Sequence, residues 1–309
     1  VYRNVADIKT DIDTVKSIVE EIREVSRKIG HEGRLHRDVL QALFSTNPYL
    51  RENYCFSIVF RWLDSGGKTA FLQDADSMIM RPDELAEVLR YLRKELDSLS
   101  RVTSYARSKT LAHRKLEQLV QIREAGLDRI HIGLETGDDE ILQIIRKGVN
   151  SAEQIAGGQK AMAAGFQLSE YWMPDLGGRE RWRQHAENTA RVLNEINPHY
   201  IRSRPLVPRR GTGLFADYEQ GRLHISSPHE RLEELQAMIE NLHVTSRVCF
   251  DHNMNAWSNN QGGLLFSQSY EGYQFPEEKP LVMNLIREGL SVNESRHVNI
   301  KELIAMGSL

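Results

Sequence analysis

One joint, used twice, constrains this chain more than any other feature. At Ala125-Gly126-Leu127 and again at Ala164-Gly165-Phe166, a helical pattern ends in Gly and an apolar residue opens a strand pattern. Gly there supplies the left-handed cap that turns the chain back towards a sheet. Runs of strand length fall at 69–72, 101–105, 129–134, 167–173 and 200–204, at spacings of roughly 30 residues, the size of a βαβ unit. Helical patterns lie between them, near 82–92, 113–125, 138–146 and 181–196. A further helix starts at Ser151, where Ser151-x-x-Gln154 fits a capping box. The helix from Pro82 carries Leu85, Val88, Leu89 and Leu92 on one face. Such repeats, joined by right-handed crossovers, require a parallel sheet covered by helices, either a barrel or a doubly wound sheet.

The flanks read differently. Val5, Ile8, Ile12, Val15, Val19, Ile22, Val25 and Ile29 recur at steps of three and four, a single apolar stripe on one long helix that stops at Gly30. Residues 31–63 form a helical insertion, with one helix ending before Asn47-Pro48 and a second over 54–63. A helix is expected near 228–242, a loop over 251–273, and a last helix near 279–290 ahead of a polar tail. The expected division is a core over 1–245 and a C-terminal extension over 246–309.

Composition narrows the function classes. A net charge of −3 with interspersed signs gives no nucleic-acid footprint. Cys55 and Cys249 cannot make a disulfide framework, and no CxxC occurs, so neither a zinc nor an iron–sulfur site is expected within these residues. No apolar run approaches the roughly 20 residues of a membrane span, and a cytoplasmic location is expected. Val1 in place of Met places the expected natural start upstream.

In parallel α/β folds the chemistry gathers where strands end. Those positions hold Gln73-Asp74-Ala75-Asp76, Tyr105-Ala106-Arg107, Gly133-Leu134-Glu135-Thr136-Gly137, Pro174-Asp175-Leu176-Gly177-Gly178, and Arg202 with Arg204. Glu135, between Gly133 and Gly137, is placed to accept hydrogen bonds from a ribose diol, with a plain helix-terminus acid as the competing reading. Asp74 and Asp76 either hold an ammonium group or metal, or cap a turn. Gly177-Gly178 either opens a loop for a ligand or makes a tight turn. Arg202 and Arg204 share one side of a strand; facing inward, two guanidiniums require an anion. Arg107 and Lys147 either clamp a carboxylate or are surface charges. His131, His185 and His252 are read as structural, because His131-x-x-x-Glu135 spans a strand end and lacks helical metal-site geometry.

These segments, with Lys147-Gly148, His185-Ala186-x-x-Thr189-Ala190-Arg191 and Asn197-Pro198-x-Tyr200-Ile201-Arg202, resemble the radical S-adenosylmethionine (SAM) superfamily over residues 1–245. The branch resembled includes Elp3-, MiaB- and HemN-like cores. The resemblance implies a partial (βα)6 TIM-type barrel whose first strand leads into a CxxxCxxC loop. That loop holds a [4Fe–4S] cluster, SAM chelates its open iron, and reductive cleavage yields a 5′-deoxyadenosyl radical. It also implies a reducing partner such as ferredoxin or flavodoxin. The segment around Gln73, Asp74 and Asp76 then lies near the SAM amino group, with Tyr105 and Arg107 on the same rim. Glu135 matches the ribose-contacting position, Lys147 a carboxylate-binding position, Gly177 and Gly178 the adenine-side turn, and Arg202 and Arg204 the closing strand. Two departures stand out. These 309 residues contain no CxxxCxxC, so the first strand and the cluster ligands are expected upstream of Val1, and Asp175 stands where glycine is commoner. The alternatives are a cluster-less SAM-type binding protein, a lyase or metal hydrolase using Asp74, Asp76, His131 and Glu135, and a scaffold.

Overall fold

The computed structural model describes residues 3–73 and 75–305. Asp74 lies outside the described residues. The chain divides into two compact units, Val1–Tyr105 with Glu117–Arg129, and Ala106–Leu116 with Ile130–Leu309.

The first unit opens on the helix Val5–Lys28, capped by the Asn4 side chain, which accepts the Asp7 N–H. Gly30 at φ +86° follows its end. The helices Arg37–Thr46 and Tyr54–Asp64 flank a short 3-10 turn at Pro48–Arg51. Their apolar faces meet the first helix in one core of Val19, Ile22, Val39, Leu43, Leu50, Phe56 and Val59. The 31–63 segment therefore folds back on the opening helix. Strands β1 (Thr69–Leu72) and β2 (Arg101–Ala106) pair in parallel, Thr69 opposite Arg101 and Leu72 opposite Ser104. The helix Pro82–Glu95 connects them and buries Leu85, Val88, Leu89 and Leu92. Arg93 on that helix donates to the carbonyls of Leu99 and Gly126 and to the Asp128 carboxylate. A Cβ on Gly126, at φ +117°, would stand 2.5 Å from Arg93 Nε. The joint thus needs Gly for its backbone and for this close approach.

In the second unit, β3 (Arg129–Glu135, with Arg129 in the first unit), β4 (Gln167–Trp172), β5 (Tyr200–Ser203), β6 (Arg247–Cys249) and β7 (Tyr273–Gln274) lie in chain order. β4 and β5 pair in parallel, as do β5 and β6, whereas β7 returns antiparallel to β6. The fold is α/β with mostly parallel strands and helices between them. Two strands beyond residue 204, β6 and β7, carry no strong sequence pattern because they have only three and two residues.

Several boundaries move. The helix expected over 113–125 is two, Ser108–His113 and Leu116–Glu124. The helix expected over 138–146 is the shorter Asp139–Ile144. The capping box sits one residue earlier than the sequence pattern suggested: Asn150 is the cap and Glu153 reaches back to it. The expected polar tail contains one more helix, Ile300–Ala305, whose Ile300 and Ile304 pack with Phe215 and Ile225. No helix among the described residues is long and apolar enough to cross a membrane.

Candidate functional site at the strand ends

Glu135 finishes β3 in a left-handed conformation, φ +64°. The Thr136 N–H donates to the Leu134 carbonyl at 2.8 Å, closing a three-residue γ-turn around it. Positive φ at a non-glycine γ-turn is strained and persists only where its surroundings hold it. The hold is visible: the Glu135 carbonyl accepts the Met173 N–H at 2.8 Å. Its side chain is partly exposed and lies 3.0 Å from Lys147 Nζ. A Cβ on Gly133 would fall 2.3 Å from Glu135 Oε1 and 3.3 Å from Lys147 Nζ, so Gly133 makes room for this pair. Gly137 has another reason. Its Cβ would meet the Asn188 carbonyl at 2.4 Å, where the helix Gly178–Ile196 passes. Gly137 thus serves helix packing, and of the two only Gly133 opens space beside Glu135.

Between these two glycines and the next helix lies Asp138, buried, which caps Asp139–Ile144 through the Ile141 N–H. Burial opposes its charge, yet hydrogen bonds from the Ile141 N–H, Asn188 and Arg181 hold its carboxyl below the usual range. Lys147 follows Arg146 at φ +53° and precedes Gly148 at φ +74°, a pair of left-handed residues that ends this helical stretch. Glu170 on β4 was missed by the sequence reading. Both its oxygens are buried without a hydrogen-bond partner among the described residues. Burial raises its carboxyl well above the ordinary range, with Lys147 opposing and Glu135 adding to the shift.

After β4 the chain turns through Asp175, again left-handed at φ +72°. That explains why glycine suits this position. Asp175 is held by its own N–H donating to Glu234 at 2.7 Å and by its carboxylate accepting the Ser226 N–H at 3.0 Å. Burial pushes its carboxyl up to about 6, Arg231 and Ser226 opposing and Glu234 reinforcing. His185, fully buried, shares Glu234 with Asp175 through Nδ1. Gly178 has φ +57° and begins the long helix that Gly177 caps. Beside them runs a groove of about 490 Å³ whose lining includes Ile141, Ile145, Leu176, Gly177 and Arg181.

Arg202 and Arg204 find their anion within the chain. Asp251 Oδ2 lies 2.9 Å from Arg202 Nη1 and Oδ1 lies 3.1 Å from Arg204 Nη1. Arg202 is fully buried, also donates from Nε to the Ser169 hydroxyl at 3.2 Å, and stacks over Tyr270 at 3.9 Å. Arg204 covers the Tyr171 ring at 4.7 Å, and the Tyr171 hydroxyl bonds His131 Nδ1. Burial works against the Asp251 charge, but Arg204 and Arg202 hold its carboxyl below the usual range. Nothing in the sequence spacing tied Asp251 to β5; the pairing arises because β6 lies beside it and Asp251 follows β6.

The remaining expected residues fall as follows. Gln73 is exposed after β1, and Asp76 follows Ala75, itself at φ +62°. Tyr105 on β2 packs its ring 4.7 Å from Phe71. Arg107 is exposed and caps Ser108–His113 without a side-chain bond. Three strand-end loops, after β1, β3 and β4, thus carry a left-handed non-glycine residue, Ala75, Glu135 and Asp175. Cys55 is exposed and Cys249 buried, and these two are the only cysteines. The residues present do not supply a three-cysteine cluster loop. Among the described residues, the group of three metal-type ligands that converges is His31, His36 and Asp38, which includes neither His131 nor Glu135.

The Radical SAM superfamily profile matches residues 60–180. The heme chaperone HemW of Bacillus subtilis (strain 168) is 22% identical over 207 residues, 63% of this chain and 54% of that protein. The chain therefore spans about half the length of the curated relative it matches. The archaeal Elp3 of Methanocaldococcus infernus, with an N-terminal deletion, superposes with a TM-score of 0.51 at 13% identity, covering 80% of this chain and 60% of that one. Coproporphyrinogen III oxidase (HemN) of Escherichia coli gives 0.43 at 14% identity over 56% of this chain and 39% of its own. Residues 60–180 are thus similar to the radical SAM superfamily, and the mostly parallel α/β fold is one this chain shares with the archaeal Elp3.

Proposed function

We propose that this chain is the SAM-binding core of a radical SAM enzyme, with the [4Fe–4S] ligands supplied from outside these 309 residues. The observation that carries the reading is Glu135, strained at φ +64° beside Lys147 at the end of β3. Strain of this kind clusters at active sites and ligand clamps, where the surrounding structure holds it. Glu135 would accept the ribose hydroxyls, and Lys147 would swing from it to the SAM carboxylate. The groove beside Gly177, with Ile141, Ile145 and Leu176 on its walls, suits an adenine ring. In a radical SAM enzyme the cluster supplies the electron that cleaves SAM; no described residue of this chain performs that step. A small electron-transfer protein of the ferredoxin or flavodoxin kind would be the reducing partner.

A second reading is favoured by one comparison: the relative from Bacillus subtilis is named a heme chaperone. On that reading the chain keeps a SAM-type pocket and binds without catalysis. Two measurements on the protein extended upstream of Val1 separate the readings. SAM binding together with iron and acid-labile sulfide supports the enzyme. SAM binding without iron supports the binding protein, and absence of SAM binding overturns both.

A further inference from the structure

In the first unit, remote in sequence from every strand end, three side chains converge on one point. His31 lies in the turn after the opening helix, His36 caps Arg37–Thr46, and Asp38 stands in that helix's first turn. The turn is tightly built. Gly30, Glu32 and Gly33 are all left-handed, at φ +86°, +54° and +84°. The His31 N–H donates to the Ser26 carbonyl at 2.8 Å, and the buried Ser26 hydroxyl donates to the Arg34 carbonyl at 2.6 Å. This backbone brings the His31 ring flat onto that of His36, centroids 4.3 Å apart and 19° from parallel.

The ligand atoms are poorly satisfied by one another. His36 Nδ1 accepts the Asp38 N–H at 3.3 Å, a long contact that a metal ion on the same lone pair would replace. The same Nδ1 lies 3.1 Å from Asp38 Oδ2, one acceptor against another. His31 Nε2 stands 3.6 Å from that oxygen, too far for a hydrogen bond. Two acceptors this close are satisfied by a proton or by a metal ion between them. In a tetrahedral zinc site with metal–nitrogen bonds of about 2.0–2.1 Å, ligand atoms are roughly 3.3 Å apart. The two edges seen here, 3.1 and 3.6 Å, bracket that length, and all three atoms lie within 4.8 Å of one another.

We propose that His31, His36 and Asp38 bind a divalent late transition ion of the zinc class, with water completing the shell. Two imidazole nitrogens and one carboxylate suit zinc and its neighbours and not magnesium or calcium, which take oxygen ligands. The ion fastens the 31–36 turn to the following helix, a structural clamp independent of the strand-end site. Because the side chains are partly or fully exposed, the ion enters and leaves without unfolding.

The test is a Zn²⁺ titration, by calorimetry, of the full chain freed of metal with a chelator. His31→Ala lies outside both helices, and Asp38→Asn keeps a polar first turn; circular dichroism verifies the fold of each. The expected result is one Zn²⁺ equivalent in the wild type that is lost or weakened at least tenfold in each variant, with Mg²⁺ and Ca²⁺ failing to compete. Equal stoichiometry and affinity in the wild type and either folded variant would overturn the proposal. So would histidine resonances that respond to pH and not to Zn²⁺, which would mean that a proton alone bridges the acceptors.

Discussion

Lys147 Nζ lies 3.0 Å from Glu135 Oε1, across the space that Gly133 leaves open by lacking a side chain. The pair is partly exposed, so its own contribution to stability is small. Its backbone setting is what distinguishes it. Glu135 is held in a γ-turn at φ +64°, a strained conformation that its surroundings must maintain.

The Arg202–Asp251–Arg204 cluster carries a stability prediction. Asp251→Asn removes the charge that offsets a fully buried guanidinium. Breaking a buried pair in this way typically costs about 3–5 kcal/mol. Urea unfolding of the variant is expected to show a loss of that order, with an unchanged dependence on denaturant. A loss below about 1 kcal/mol would mean that Tyr270 and Ser169 already hold Arg202, a hydrogen bond contributing roughly that much.

Asp175 predicts a pH effect. Its carboxyl is raised from an unfolded value near 3.8 to about 6 in the fold. A raised carboxyl stabilises fully below the unfolded value, and that contribution is lost as pH rises through the folded one. Asp175→Asn, which still accepts the Ser226 N–H, removes this loss. Relative to the wild type, the variant is expected to gain about 1–3 kcal/mol between pH 4 and pH 7. Thermal unfolding at the two pH values measures it, and parallel curves for the two proteins would contradict the assignment.

The two cysteines are predicted to differ in reactivity. Burial pushes the Cys249 thiol up to about 11, with Arg202 opposing, whereas Cys55 is exposed. The thiolate is the reactive form. Ellman's reagent at neutral pH is expected to titrate one thiol in the folded protein and both in denaturant, and Cys55→Ser to abolish the fast reaction. Two fast thiols in the native protein would contradict the burial of Cys249.

Much of the fold was legible because helix and strand periods alternate and because Gly126 and Gly165 mark two joints, both of which adopt the left-handed conformation. The strands β6 and β7 were not legible, since two or three residues cannot display a period. The capping box was read one residue late because Ser151 is itself a good cap; the Asp139 carboxylate engages Ser151, and Asn150 takes the role. At the site, Glu135 and Lys147 were visible as strand-end and post-helix residues. Asp251 and Glu170 were not, because one depends on which strand lies beside β5 and the other on burial of a charged side chain that composition does not reveal. The meeting of His31 and His36 was not legible, since it depends on three left-handed residues, Gly30 just before His31 and Glu32 and Gly33 between the two histidines.

The proposed SAM site stands or falls on Glu135. Equilibrium dialysis with labelled SAM, comparing wild type and Glu135→Ala, tests it most directly. Saturable binding by the wild type is expected, weakened by about 1–3 kcal/mol in the variant, the usual cost of leaving hydrogen-bonding groups unpaired. Circular dichroism of the variant should be unchanged, because removing a partly exposed side chain leaves the γ-turn in place. Equal affinity in a folded variant would contradict the ribose contact, and no saturable binding by the wild type would contradict the SAM site itself.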